Sequence, residues 1–139
     1  MKLNLNLPIL SICTRCRDGR EATRGGMRLA ASVLTRAKKP LDQPFNLRGV
    51  ACMSQCKRPC IAAVSASGCF SYIFGDLDTD NSEHIDALFG FMSLYVDAPE
   101  GFVERKNRPI VLQKGILDKL PPMISSSPLI VELNSTTVV

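Results

Sequence analysis

The sequence has no tryptophan, a single histidine and no long apolar run. Every apolar stretch is far shorter than the roughly 18 residues that a membrane helix needs, so a helical membrane span is excluded. Residues 1–12 lack an apolar core and a small-residue cleavage site, so we expect no signal peptide and a cytoplasmic protein. Phe45 is the only aromatic residue among the first 60, and nucleic-acid binding by base stacking is therefore not expected.

Charge is divided unevenly along the chain. Residues 1–60 carry 12 Lys/Arg and 3 Asp/Glu (+9), whereas residues 61–139 carry 5 and 10 (−5). The basic half contains both thiol pairs described below. One interpretation is an ordinary solvated surface. The other is that basic side chains offset the charge of a thiolate centre or steer an acidic partner. The side chains concerned are those of Arg15, Arg17, Lys57 and Arg58.

The six cysteines carry the chemistry of this sequence. Three lie in the stretch Cys52–Cys60, at positions 52, 56 and 60, and Cys13-Thr14-Arg15-Cys16 supplies a second pair. Without an export signal, such clusters favour metal binding or redox chemistry over structural disulfides. Thiolates are the preferred ligands of zinc, copper(I) and iron–sulfur clusters. The spacing matches neither of the common ferredoxin patterns. An iron–sulfur carrier, a zinc protein and a dithiol oxidoreductase are therefore all open.

The hydrophobic pattern predicts an α/β domain with a mixed sheet. We expect strands at 7–12, 45–51, 61–66 and 69–74, and helices at 26–38, from 85 to just before Pro99, and near 110–119. The predicted apolar stripe of the first helix is Met27, Ala30, Ala31, Leu34 and Ala37. Asp80 is predicted as the N-cap of the second helix, with Glu83 completing a capping box. Residues 1–124 are expected to form one domain, and residues 125–139 a flexible tail or an added strand.

Several single residues have alternative interpretations. Cys69 opens an apolar strand and is expected to be a small core residue, while Cys60 suits the core or a ligand role equally. His84 is expected to be a surface histidine. Against dithiol chemistry at Cys13 and Cys16, the first helix begins some ten residues later, so its N-terminus would not lower a thiol pKa directly.

Two resemblances to known families add to this interpretation of the cysteines and the fold. Cys52-Met53-x-x-Cys56, Pro59, Gly68 and Tyr72-Ile73-Phe74-Gly75 resemble the second half of thioredoxin-like 2Fe–2S ferredoxins, which are similar to a small subunit of respiratory complex I. Over residues 9–122 the chain also resembles a bacterial family of predicted metal-binding proteins. The motifs that carry this second resemblance are Ile12-Cys13-Thr14-x-Cys16, Cys52–Cys60, Phe74-Gly75-Asp76-Leu77, Arg108-Pro109, Lys114-Gly115-Ile116 and Leu120-Pro121-Pro122.

The resemblance implies a thioredoxin-like fold, with a mixed four-stranded sheet, two main helices and a C-terminal extension. It implies a 2Fe–2S cluster, with zinc as the alternative, in an electron carrier rather than an enzyme. An unidentified redox partner protein and a homodimer are also implied. The expected ligands are Cys13, Cys16, Cys52 and Cys56, with Cys60 as a substitute. Cys16 departs from the ferredoxin pattern, in which the first pair is spaced more widely.

Overall fold

The computed structural model describes residues 3–19, 24–41 and 43–136. Its strands are β1 (Ile9–Cys13), β2 (Asn46–Val50), β3 (Ala62–Ser65), β4 (Ser71–Phe74) and β5 (Ile116–Leu120). Its helices are α1 (Gly25–Ala37), α2 (Ser82–Asp97) and α3 (Ile110–Lys114), with short 3-10 helices at Pro99–Gly101 and Arg105–Asn107. No helix in these described ranges is long and apolar enough to cross a membrane.

The predicted mixed sheet is confirmed, but the predicted number of four strands is wrong. Within the described residues the sheet has five strands, in the order β2-β1-β3-β4-β5. β1 and β2 are parallel, and the other pairs are antiparallel. The additional strand is β5, which the sequence pattern assigned to a helix near 110–119. That helix ends at Lys114, and the next residues pair with β4 instead, because edge pairing overrides a weak local preference.

The core lies on one face of the sheet. Buried side chains alternate along β3 and β4, as expected for a sheet with one covered face, whereas in β1 Ser11 and Cys13 on the other face are buried as well. The buried side chains on the covered face are those of Leu10, Ile12, Ala62, Val64, Tyr72 and Phe74. α2 packs here through Phe91, whose ring meets those of Tyr72 and Phe74 edge-on. α1 contacts both β1 and α2, so the two long helices cover the same face.

The predicted apolar stripe of α1 is wrong in orientation. The buried residues of α1 are Gly25, Gly26, Leu29 and Val33. Met27 and Leu34, which the periodicity placed inward, are 50% and 58% exposed. The helix has apolar residues on both faces, so periodicity alone could not choose between them. The choice is made by the glycines, because their missing Cβ atoms let the helix start approach the backbone after β1.

The start of α2 also differs from the prediction. Asn81, rather than Asp80, is the N-cap, and its Oδ1 accepts a hydrogen bond from the backbone N–H of Glu83 at 2.9 Å. The N–H of Asp80 instead donates to the side chain of Asp78, which places Asp80 in the preceding turn. Both residue types favour N-cap positions, so the sequence did not distinguish them.

The segment after β5 has no helix or strand in its described part, residues 121–136. It is attached to the domain at Ser126, whose N–H and Oγ both donate to Glu100 Oε2, at 3.0 and 2.7 Å. The last three residues, 137–139, lie outside the described part. The predicted division of the chain near residue 124 stays a prediction.

Candidate metal centre

Both thiol loops leave the sheet at the same edge. β1 and β2 run parallel and end together, with Cys13 opposite Val50. The chain after β1 is fastened to β2 by the N–H of Thr14, which donates to the Val50 carbonyl at 2.9 Å. Because parallel strands end on the same side, the Cys13–Cys16 turn and the loop that begins after Val50 are neighbours. This placement is a precondition for a shared centre.

The N-terminus of α1 lies against the first thiol pair. The N–H of Gly26 donates to the Cys16 carbonyl at 3.0 Å. A Cβ added to Gly26 would stand only 2.1 Å from the carbonyl oxygen of Cys13, so only glycine fits there. The helix start is therefore close in space to the thiol turn, although the groups that lower the pKa of Cys13 belong to Arg15, Cys16 and Met53 and not to α1. α1 begins nine residues after Cys16, yet its first turn lies against the Cys13–Cys16 turn.

Cys13 and Cys16 form a buried, hydrogen-bonded pair with unequal acidities. Their exposed fractions are 3% and 4%. Burial opposes ionisation of Cys13, but hydrogen bonds from the backbone of Arg15, the Cys16 side chain, and the backbones of Met53 and Cys16 lower its pKa overall. Burial, followed by the bond to Cys13, raises the pKa of Cys16 to about 12. The first sulfur to ionise is therefore that of Cys13.

The second loop reaches this pair through its backbone. Met53, which follows Cys52, contributes one of the hydrogen bonds that lower the pKa of Cys13. Within its own loop, the Cys52 sulfur accepts the N–H of Ser54 at 3.4 Å. Cys13 likewise accepts from the backbone two residues further on, at Arg15. Both turns therefore present backbone N–H groups to a sulfur, which is how proteins stabilise thiolates and metal-bound sulfur.

Cys60 is the third buried thiol at this edge. It is fully buried, and its charge would raise the pKa of Cys16, so the two sulfurs are close. A Cβ on Gly25 would lie 2.7 Å from the Cys60 sulfur. Gly25 and Gly26 thus make room for all three buried cysteines. The sequence interpretation began the helix at residue 26 and assigned this role to neither glycine; their position near a helix start, between two thiol loops in the chain, is the available signal.

The outer thiols, Cys52 and Cys56, are exposed. In the part of the chain that the structure describes, no three Cys, His, Asp or Glu side chains are grouped so as to hold a metal ion. The four-thiol set Cys13, Cys16, Cys52 and Cys56 therefore stays a prediction. The donors present at this edge are sulfur atoms with backbone N–H groups beside them. Such donors fit zinc or an iron–sulfur cluster better than calcium or magnesium.

Two other predicted residues are placed elsewhere in the structure. Cys69 is half-buried and packs against the core, where burial raises its pKa. His84 Nδ1 accepts the N–H of Asp78 at 2.9 Å, so this ring nitrogen is engaged in the turn before α2. This hydrogen bond gives His84 a structural role in that turn.

The predicted cations do not all play the same part. Arg58 donates from Nε to Asp76 Oδ2 at 2.6 Å, and this pairing raises the pKa of Arg58. Its charge is therefore largely offset by the partner. Arg15, Arg17 and Lys57 are exposed.

The strand order and helix placement define a thioredoxin-like fold, which comparison with solved structures supports. The chain is similar to a thioredoxin-like 2Fe–2S ferredoxin from Aquifex aeolicus, with a TM-score of 0.51 and 14% sequence identity. The alignment covers 86% of this chain and 99% of the ferredoxin chain. At this identity the similarity establishes the fold.

The sequence itself assigns the chain to a family. Residues 10–122 match the family described as "Protein of unknown function (DUF1636)", and the chain belongs to it. No sequence among the curated proteins matches.

Proposed function

We propose that the protein is a small iron–sulfur carrier that holds a 2Fe–2S cluster at the edge of the sheet where β1 and β2 end. The observation that carries this proposal is the common end of β1 and β2, where Cys13 lies opposite Val50 and the N–H of Thr14 donates to the Val50 carbonyl at 2.9 Å. This arrangement makes the two cysteine loops neighbours, as a shared centre requires. The likeness to a 2Fe–2S ferredoxin supports the same choice.

Each loop has a distinct part in the proposal. Cys13 and Cys16 supply the inner ligands, and Cys52 and Cys56 supply the outer ones, while Cys60 can substitute from the interior. When bound, the cluster would accept and release one electron. The chain would hold it, donate N–H groups to its sulfur ligands and shield its inner side from water. Such hydrogen bonds and nearby cations raise the reduction potential of a cluster. No catalytic residue is assigned, because a carrier needs none.

The first experiment is anaerobic purification followed by visible spectroscopy and assays of iron, acid-labile sulfide and zinc. We expect a red-brown protein with iron and sulfide in equal amounts, and colour that is bleached by dithionite. A colourless protein with stoichiometric zinc would overturn the iron–sulfur proposal and favour the zinc alternative. Reconstitution with iron and sulfide distinguishes a protein that binds no cluster from one that lost its cluster during purification.

Single Cys→Ser variants then test the ligand set. We expect loss of colour or a shifted spectrum for Cys13, Cys16, Cys52 and Cys56, because a hydroxyl is a poor ligand for a soft metal. Cys69→Ser is the matched control, since Cys69 packs beside Tyr95, and its spectrum should not change. An unchanged spectrum in Cys16→Ser would remove Cys16 from the ligand set. The Cys60 variant decides whether that thiol is a ligand.

A dithiol oxidoreductase is the second candidate, and a specific observation favours it. The lowered pKa of Cys13 beside the raised pKa of Cys16 resembles a nucleophile with its resolving thiol. Both sulfurs are almost inaccessible, which weighs against reaction with a protein disulfide. A protein that is purified without metal and shows a two-electron midpoint, abolished in Cys13→Ser and Cys16→Ser, would support this candidate.

A further inference from the structure

Four exposed basic side chains flank the two thiol loops, and we call them the basic rim. They are Arg15, Arg17, Arg24 and Lys57. Arg15 and Arg17 lie in and just after the first thiol turn. Arg24 is held beside that turn, because its Nη1 donates to the Arg15 carbonyl at 3.3 Å. Lys57 follows Cys56 in the second loop. The basic rim therefore contains residues from both thiol loops.

The acidic groups near the rim already have basic partners. Asp18 is paired with Arg28, and Asp76 with Arg58. For the four residues of the rim, by contrast, the described part of the chain contains no ion pair. Among the described residues, their positive charge therefore has no ion-pair partner and is exposed beside the thiols of the second loop.

The surface inside the rim favours a protein over a nucleic acid as the partner. Met27, in the first turn of α1 and three residues after Arg24, is 50% exposed, and Met53, which follows Cys52 in the second loop, is half-buried and packs partly against the core. Accessible methionine within a charged border is typical of protein interfaces. An aromatic stacking platform, which single-stranded nucleic acid would use, is lacking in residues 1–60 apart from Phe45, which packs against Phe89.

We propose that the basic rim docks the acidic surface of a redox protein over Cys52 and Cys56. This inference rests on the proposed function, since it supplies the route by which one electron leaves the reduced partner and enters the oxidised centre. The exposed loop is the side from which a partner approaches the centre most closely. Opposite charge on the partner would steer the encounter and set its orientation.

The local field can be measured without any cluster, by the reaction of Cys52 and Cys56 with charged and neutral disulfides. The probes are dianionic dithiobis(nitrobenzoate) and neutral dithiodipyridine, applied to the metal-free full-length chain carrying Cys69→Ser. In each case a thiolate attacks the disulfide, forms a mixed disulfide and releases an aromatic thiolate. We expect the double variant Arg15→Glu/Lys57→Glu to lower the ratio of anionic to neutral rates by about tenfold at an ionic strength of about 0.1 M, where the Debye length is about 10 Å.

A matched control carries the same change of charge elsewhere. Lys38 and Lys39 follow the C-terminal end of α1, and α1 is about 20 Å long at 1.5 Å per residue. The variant Lys38→Glu/Lys39→Glu should leave the ratio of rates within about twofold of the parent, because charges beyond a Debye length are screened. Equal ratios in the two double variants would overturn the proposal.

Binding of model partners tests the class of partner. A labelled peptide of alternating Glu and Leu and an oligothymidylate of equal charge are titrated into the full-length chain at the same ionic strength. We expect the peptide to bind, and its affinity to fall at least about tenfold in Arg15→Glu/Lys57→Glu but not in the control. Absence of peptide binding, or tighter binding of the oligonucleotide, would overturn the choice of an acidic protein.

The two proposals fail in different ways. A colourless protein that retains charge-selective thiol reactivity would overturn the iron–sulfur proposal and the electron route, while the basic rim and its acidic docking partner would stand. A red-brown protein whose outer thiols show no charge selectivity would overturn the proposed docking role of the basic rim and leave the iron–sulfur proposal in place.

Discussion

At the scale of single residues, the cysteines were readable from the sequence and their surroundings were not. Spacing identified Cys13 and Cys16 as a pair and placed them beside a strand end. Gly25 and Gly26, which let the start of α1 lie against these cysteines, were assigned no role, although they lie in the chain between the two thiol loops. Their importance depends on which backbone atoms approach them in space, and that information is absent from local sequence.

Replacement of Gly26 by alanine should destabilise the protein. The added methyl group would meet the Cys13 carbonyl and the Cys16 N–H, which are backbone atoms that cannot move independently. We expect a loss of about 1–3 kcal/mol in the free energy of unfolding, as is usual for overpacking, measured by urea denaturation. Under the proposed function, the variant should also bind the cluster less tightly.

Gly90→Ala is the control for this substitution. Gly90 lies in α2, and a Cβ there would meet no atom within 4 Å. Because alanine favours a helix more than glycine does, we expect stabilisation by about 0.5–1 kcal/mol. If both substitutions changed the free energy of unfolding in the same direction, that result would contradict the packing described around Gly26.

At the scale of elements, periodicity located most helices and strands, but it did not give their orientation. α1 was placed correctly along the chain, yet its inner face was assigned to Met27 and Leu34 instead of Leu29 and Val33. β5 was missed because its pairing with β4 is a contact between distant parts of the chain. In both cases the deciding interaction is tertiary, which a local pattern does not contain.

Attachment of the C-terminal segment should depend on pH through Glu100. Hydrogen bonds from Ser125 and Ser126 hold the pKa of Glu100 below its ordinary value of 4.5. Since the pKa is depressed when the segment is attached, the stabilising contribution is present above pH 4.5 and is lost as the pH falls through the depressed value. The amide NMR signal of Ser126 reports this transition.

The control for this pH effect is Glu100→Gln, which retains a carbonyl acceptor but does not titrate. Its Ser126 signal should be independent of pH in the acidic range. A midpoint above 4.5 in the parent protein, or an equal transition in the variant, would show that Glu100 is not the group responsible.

At the scale of the whole molecule, the α/β class followed from the order of elements, and the thioredoxin-like fold followed from resemblance. Shared motifs such as Phe74-Gly75 indicated a family, and the family match bears this out. The number of strands and the close approach of α1 to the first thiol turn could be determined only from the three-dimensional structure. Cys52 and Cys56 are exposed and, in the described ranges, belong to no group of three metal-ligating side chains.

The core should keep the chain folded without a metal. Phe91 is fully buried and its ring packs edge-on against those of Tyr72 and Phe74. We expect Phe91→Ala to lower the free energy of unfolding by about 3–5 kcal/mol. Leu34→Ala, at a site that is 58% exposed, should change stability by less than about 0.5 kcal/mol. Circular dichroism of the metal-free chain should show a cooperative thermal transition. A metal-free chain without such a transition would contradict a self-sufficient core.

The cysteines differ most in their access to solvent, and this difference gives the site a vulnerable side and a protected side. Oxidants and chelators arriving from outside meet Cys52 and Cys56 first, whereas Cys13, Cys16 and Cys60 lie beneath the surface. Because sulfenic acid formation needs an accessible thiolate, oxidative damage should begin at the outer loop and leave the inner sulfurs reduced. Under the proposed function, oxidation of the outer loop would remove two of the four ligands reversibly and leave the inner pair as a template for repair.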